Sequence, residues 1–278
     1  MKKSIMLAAA GFATTMLLSQ ASVVNAAEIK VMSSVGLHEI MEDLGLKFER
    51  VSGHKLAITF ATGGGVVKRV QDGEPADVVI ITREGIDNLV KDGKAASGDI
   101  TVIARGDIGV AVRKGAPKID IWSSDAFKRT LLAAKSITYA DPALGNASGI
   151  HVAEVIERLG LANEIKAKTV LAKNLNDVGI LVANGTAEIG MAQFQALMSI
   201  AGIDLVGPLP GDLQETLVFS AAIMAGAKNA EAAKALVNFL RTPEAAAVIK
   251  ANGLAPGPGT GTDSTKRVMP TENEETAN

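Results

Sequence analysis

The 278-residue sequence predicts an α/β fold of alternating buried strands and amphipathic helices, on three observations. Residues 78–81 (VVII) form a short strand too continuously apolar to leave one face in water. Upstream, Leu37, Ile40, Met41, Leu44, Phe48 and Val51 recur at helical spacing behind a strand-like segment, 28–33 (EIKVMS), and Gly36. Downstream, residues 217–225 form a long apolar run suited to a strand that returns to the first part of the fold. Such alternation implies mostly parallel sheets with helices on both faces.

The remaining elements follow in order. Residues 56–61 (LAITFA) read as a strand that runs into Gly63-Gly64-Gly65 and a short helix carrying Val66, Val67 and Val70. Pro75-Ala76-Asp77 leads into the 78–81 strand. A second series has strands at 108–113 and 136–140, a helix from about 149 to 159, and a strand at 169–173. It continues with a helix near 178–184 and strands at 188–192 and 204–206. After the returning strand, 229–240 carries an apolar helical stripe, and Thr242-Pro243-Glu244 caps a last helix that stops near Gly253. No internal repeat interrupts this order.

The two ends have a different character. Lys2 and Lys3 precede an uncharged apolar run at 5–18, followed by a more polar stretch with small residues at Val24 and Ala26. This is the order of a secretory leader cleaved after Ala26. The apolar run is too short for a membrane span, which needs about 20 residues. Residues 255–278 are rich in Pro, Gly, Thr and Glu and read as a disordered tail. With no cysteine, the chain has no disulfide, no thiolate nucleophile, no Cys-ligated metal and no lipidated cysteine. The expected compartment is the periplasm. The formal charge of −2 becomes two units more negative once Lys2 and Lys3 are removed, and aromatic residues are only 3%. Both argue against nucleic-acid binding.

The chemistry is expected where strands end and helices begin, because those loops line the ligand crevice of an open α/β sheet. Helix N-termini offer unpaired N–H groups and a positive partial charge, which suit anions. Four loops combine small, polar and hydroxyl residues there: Ser33-Ser34-Val35-Gly36, Thr62-Gly63-Gly64-Gly65, Asn146-Ala147-Ser148-Gly149 and Asn176-Asp177-Val178. No triad, zinc helix motif or P-loop is present; Gly63-Gly64-Gly65 lacks the Lys-Ser/Thr ending of a phosphate loop. No metal or cofactor is expected.

These segments, with Gly73-Glu74-Pro75-Ala76-Asp77-Val78, Asp141-Pro142 and Ala187-Glu188-Ile189-Gly190, resemble the periplasmic molybdate-binding protein family of type II solute-binding proteins. The resemblance spans most of 28–254. It implies two α/β lobes joined by two crossover strands: lobe I from 27–107 plus 218–254, lobe II from 108–217. It also implies a monomer that closes on a small anionic ligand and hands it to an ABC-type inner-membrane permease. The family's contacts carry over to Gly36, Gly64, Ser148, Val178 and Gln193, with Ser33, Ser34, Thr62 and Gly65 adjoining them. Gly36 and Gly64 stand where molybdate binders usually carry serine, and Gln193 where tyrosine is common. The two glycines are expected to make room for a larger organic anion, a di- or tricarboxylate.

Such a ligand would want cations, for which Lys68, Arg69, Arg83 and Arg105 are candidates, the last two adjoining strand ends. His38 and His151 follow ligand loops, one in each lobe, and could donate hydrogen bonds or carry protons. Trp122 and Tyr139 are sufficiently explained by packing. The leading function is therefore a transport receptor. The alternative is an isomerase on the same scaffold, since bacterial aconitate isomerase resembles this group; His38, His151, Arg83 and Arg105 would then supply the acid/base and clamping groups.

Overall fold

A computed structural model describes residues 26–259. The expected leader, apart from Ala26, lies outside them. In chain order the strands are β1 (Glu28–Ser34), β2 (Lys55–Ala61), β3 (Val78–Thr82), β4 (Ala95–Gly106), β5 (Ile108–Arg113), β6 (Ile137–Ala140), β7 (Thr169–Ala172), β8 (Ile189–Gln193), β9 (Ile203–Pro208), β10 (Leu217–Met224) and β11 (Ala255–Pro256). The helices are α1 (His38–Ser52), α2 (Gly63–Gln71), α3 (Arg83–Lys91), α4 (Ser124–Ala133), α5 (Ala147–Arg158), α6 (Ala162–Lys166), α7 (Leu175–Ala183), α8 (Phe194–Met198), α9 (Ala230–Phe239) and α10 (Pro243–Ala251).

The apolar run in β3 has the expected cause. Val78 and Ile80 face a cluster built with Leu37, Met41, Leu44, Phe48 and the α9 and α10 residues Leu236 and Ile249. Val79 and Ile81 face the opposite cluster, with Val66, Val70, Ile86 and Leu89 from α2 and α3. Each such side chain, fully buried, contributes about 1.5–3 kcal/mol of transfer free energy. The same two-faced logic holds in β5, where Ile108, Val110 and Val112 join one cluster and Ala111 the other.

These strands form two sheets, one per lobe: β11-β4-β10-β3-β1-β2 and β7-β6-β8-β5-β9. The two-lobed α/β class is as expected, but the sheets are mixed rather than mostly parallel. β1 pairs in parallel with β2 and β3, and β6 with β7 and β8. β10 runs antiparallel to β3 and β4, β11 to β4, and β5 to β8 and β9. The cause is the crossover between lobes: β5 and β10 each enter a sheet from the other lobe's side and so run against the βαβ strands.

The sequence reading leaves β4, α3, α4, α6 and α8 unassigned. Ala95 and Ala96 give β4 a start of weak strand propensity, and β10 and β11 hold it on either side. The C-terminal segment also differs from expectation at its start. Ala255 and Pro256 pair with Arg105 and Ala104, and Gly257 N donates to Ile103 O at 2.7 Å. Pro256 is tolerated because β11 is an edge strand. Arg241 donates to Pro258 O (3.3 Å) and Gly259 O (3.2 Å), and residues 260–278 of the expected tail fall outside the described residues.

Asp77, in the Gly-x-Pro-Ala-Asp motif, is a structural tie. Burial alone would raise its pKa, but backbone amides of Lys30, Asn229 and Lys228 outweigh it and hold the carboxyl below its ordinary range. Its Oδ2 accepts from Lys30 N (2.9 Å), and Oδ1 from Lys228 N (2.7 Å) and Asn229 N (3.1 Å). One buried carboxylate thus joins β1, β3 and the entry to α9.

Candidate anion-binding cleft

The parallel strands of both lobes end at the same cleft. On the lobe I side, Ser33 is fully buried and Ser34 nearly so, and Ser34 Oγ accepts from Gly36 N at 3.3 Å. Thr62 caps α2 by accepting from Gly65 N (3.1 Å) and donates its hydroxyl across the cleft to Leu144 O (2.7 Å). On the lobe II side, Asn146 caps α5: its Oδ1 accepts from Ser148 Oγ (2.8 Å) and Gly149 N (3.3 Å). Asn174 caps α7 through Asp177 N at 2.9 Å. The hydroxyl and amide residues of these loops are therefore largely engaged in ending strands and starting helices.

The lobes touch. Gly64 N donates to Gly145 O at 3.1 Å, and a Cβ on Gly64 would stand 3.0 Å from Gly145 Cα, which itself has φ +70°. A Cβ on Gly36 would overlap Gln193 Oε1. That oxygen accepts from Gln195 Nε2 (2.6 Å), which also donates to Gly36 O (3.3 Å). The two glycines thus do not open the cleft as expected. Their missing side chains are replaced by the other lobe: the Gln193 amide at Gly36, and the Gly145 backbone at Gly64.

Two cavities adjoin this contact. The front one, about 360 Å³, is walled by Gly36, His38, Thr62, Asn146, Lys173, Asn174, Asn176 and Gln195, among others. The rear one, about 550 Å³, is walled by Gly64, Thr82, Arg83, His151, Glu154 and Glu215, among others. Of the expected ligand residues, Gly36 and Thr62 line the front cavity and Gly64 the rear. Gly65 sits in the first turn of α2 as the amide that Thr62 caps. Ser33, Ser34, Ser148, Val178 and Gln193 are buried behind the walls.

The basic residues separate. Arg83 lines the rear cavity and is paired to Asp87 at 2.9 Å. Arg105 lies on β4 between Val218 and Ala255 and lines neither cavity. Lys68 is paired with Asp72 and Arg69 with Glu74. His38 is exposed on the front wall, tilted over Phe60 with ring centroids 4.3 Å apart and with Glu42 at 3.5 Å. His151 is buried and opens on the rear cavity.

Lys173 was missed by sequence reasoning. It follows β7 on the front wall and makes no ion pair among the described residues. The strand-end rule that singled out Arg83 applies equally to it. The first turns of α2 and α5 hold no acidic side chain, so nothing on those turns neutralises their positive helix ends. Glu39 is the acid of the front wall.

Among the described residues, no helix is long and apolar enough to cross a membrane. Several known proteins share this chain's sequence or architecture. It is 34% identical over 236 residues to an aconitate isomerase of a Pseudomonas species, covering 83% of this chain and 88% of that one. It is 29% identical over 237 residues to the molybdate-binding protein ModA of Azotobacter vinelandii, covering 82% and 90%. Among solved structures, the periplasmic molybdate-binding protein of Azotobacter vinelandii superposes with a TM-score of 0.66 at 22% identity, covering 82% of this chain and 98% of that one. The sulfate-binding protein SubI of Mycobacterium tuberculosis superposes with 0.68 at 18% identity, covering 83% and 87%. At those identities the structural matches speak for the fold alone. The model of the bacterial extracellular solute-binding protein family matches residues 29–255, nearly all of the described chain, and the protein belongs to that family.

Proposed function

We propose that the protein is a periplasmic receptor that captures a small organic carboxylate in the front cavity and passes it to a membrane permease. The observation that carries this reading is Lys173, which makes no ion pair among the described residues and shares the front wall with the side-chain amides of Asn146 and Asn176. The α2 and α5 helix ends nearby hold no first-turn acid, whereas α1 and α7 do carry one, Glu39 and Asp177. A carboxylate there gains a cation and several donors, which offset its desolvation. Tetrahedral metal oxyanions are less well served. The hydroxyls of Thr62 and Ser148 already donate to neighbours within the protein, and Ser34 Oγ accepts from Gly36 N. Gln195 Oε1 is a buried acceptor with no donor, and it would suit a ligand that also carries a hydroxyl or protonated group.

Thermal-shift measurements on the exported chain with di-, tri- and hydroxycarboxylates, molybdate, tungstate and sulfate test the reading, since binding to the native state raises apparent stability. A shift with carboxylates supports it; a shift with molybdate or tungstate alone overturns it.

A second reading is favoured by the 34% identity to an aconitate isomerase. In it, His38 on the front wall is the acid/base candidate and Lys173 the clamp, with Arg105 and His151 lying elsewhere. Interconversion of cis- and trans-aconitate with turnover would select the enzyme over the receptor; binding without turnover would select the receptor.

A further inference from the structure

The rear cavity holds a cluster that the receptor reading does not use. His151, in the second turn of α5, Glu154 one turn further, and Glu215, between β9 and β10, place one ligand atom each within 4.8 Å of one another. The i, i+3 spacing puts His151 and Glu154 on one helix face.

The decisive feature is the hydrogen bonding of His151, whose side chain is only 6% exposed. Its Nε2 lies 2.8 Å from Leu213 O. A carbonyl oxygen can only accept, so the proton of the neutral ring sits on Nε2 and Nδ1 carries a lone pair. That Nδ1 has no hydrogen-bond partner, yet Glu215 Oε2 stands 3.0 Å from it. A lone pair facing a carboxylate oxygen is repulsive unless a positive species lies between them. A separation of 3.0 Å matches the edge of an octahedron whose metal–ligand bonds are about 2.1 Å, and lies somewhat inside the edge of about 3.4 Å of a tetrahedron with the same bonds. Arg83, the arginine of the cavity wall, is taken up by Asp87.

We propose that His151 Nδ1, Glu154 and Glu215 bind one divalent transition cation of the zinc class, with solvent completing its coordination. One imidazole and two carboxylates suit such an ion. Leu213 O supplies the second partner that fixes the ring and its tautomer, as metal-ligating histidines require. The ion would tie α5 to the connection between the lobes, because Thr216, next to Glu215, donates to Asp107 Oδ1 (2.8 Å) beside the other crossover.

The test is a titration of the chelator-stripped, untagged chain with Zn2+, read by competition with a fluorescent zinc chelator. One equivalent is expected to bind and to raise the melting temperature. Glu154→Gln and Glu215→Gln alter exposed side chains and should leave the metal-free fold intact, while each weakens Zn2+ at least about tenfold. Absence of stoichiometric binding would mean that a proton, not a metal, lies between His151 and Glu215, and it would overturn the proposal. So would Zn2+ binding that Glu154→Gln leaves unchanged, since Glu154 matters only to the metal geometry.

Discussion

Replacing Asp77 by Asn tests whether this motif residue is a structural tie, and its cost can be worked from the contacts. The substitution keeps the shape, so no cavity forms. An amide oxygen can still accept from Lys228 N and Asn229 N, now at 2.7 and 3.1 Å without charge assistance. The NH2 group, however, would face Lys30 N, which donates to Oδ2 at 2.9 Å. One buried N–H then loses its acceptor and meets another donor. An orphaned buried donor costs about 1–3 kcal/mol, and the lost charge assistance adds about 1 kcal/mol more. The expected destabilisation is about 2–4 kcal/mol, a fall of about 4–16 °C in Tm for a chain of this length. Its pH dependence has a definite sign. The native carboxyl titrates below its ordinary range, so on acidification the unfolded chain takes up its proton first, near pH 3.9. The advantage over Asp77→Asn is therefore constant from pH 7 to about pH 5 and is lost as the pH falls through the native value. Urea denaturation of both proteins from pH 7 to pH 3 measures this. A difference under about 0.5 kcal/mol at pH 7, or one that does not narrow in acid, would refute the reasoning.

The inter-lobe contacts make further predictions. Gly36→Ala should displace the Gln193 amide from the closed cleft at a cost of about 1–3 kcal/mol, weakening the best carboxylate from the thermal-shift screen about 5- to 150-fold. In a Gln193→Ala background the same change should cost less than about twofold; calorimetry showing additive effects would exclude the contact. Lys173→Ala should weaken that carboxylate about three- to tenfold at low salt and less at high salt, with unchanged thermal stability. Equal affinities of the two proteins at low salt would remove Lys173 from the site. Thr62→Val removes the α2 cap and the hydroxyl bridge to Leu144 O. A loss of about 1–2 kcal/mol in denaturant unfolding is expected, and no loss would show the cap to be replaceable.

Much of the fold was legible because burial on two faces leaves a signature in one dimension. The run Val78-Val79-Ile80-Ile81 had to be covered twice, and Thr242 caps the last helix as expected, whereas Thr62 and Asn146, read as ligand-loop residues, also turn out to be caps. β4 was not legible, since its strand character comes from β10 and β11 on either side. Strand direction was not legible either, because β5 and β10 take theirs from a crossover that no local pattern records. In the site, loop chemistry pointed to Gly36 and Thr62, but local sequence could not tell a hydroxyl aimed at a ligand from one capping a helix.

By itself, then, the sequence determined the α/β class, because hydrophobic period and capping residues act within a few positions of the chain. The two lobes entered through the family resemblance, and anion chemistry at the strand ends was an expectation. The tertiary structure decided which of those residues meet. Gly36 finds Gln193 and Gly64 finds Gly145 across more than eighty positions of sequence. The same closure puts Lys173 on the front wall and turns His151 to the rear. Side-chain volume, tautomer and unpaired charge become physical constraints only when both lobes are present, and they assign each residue its partner.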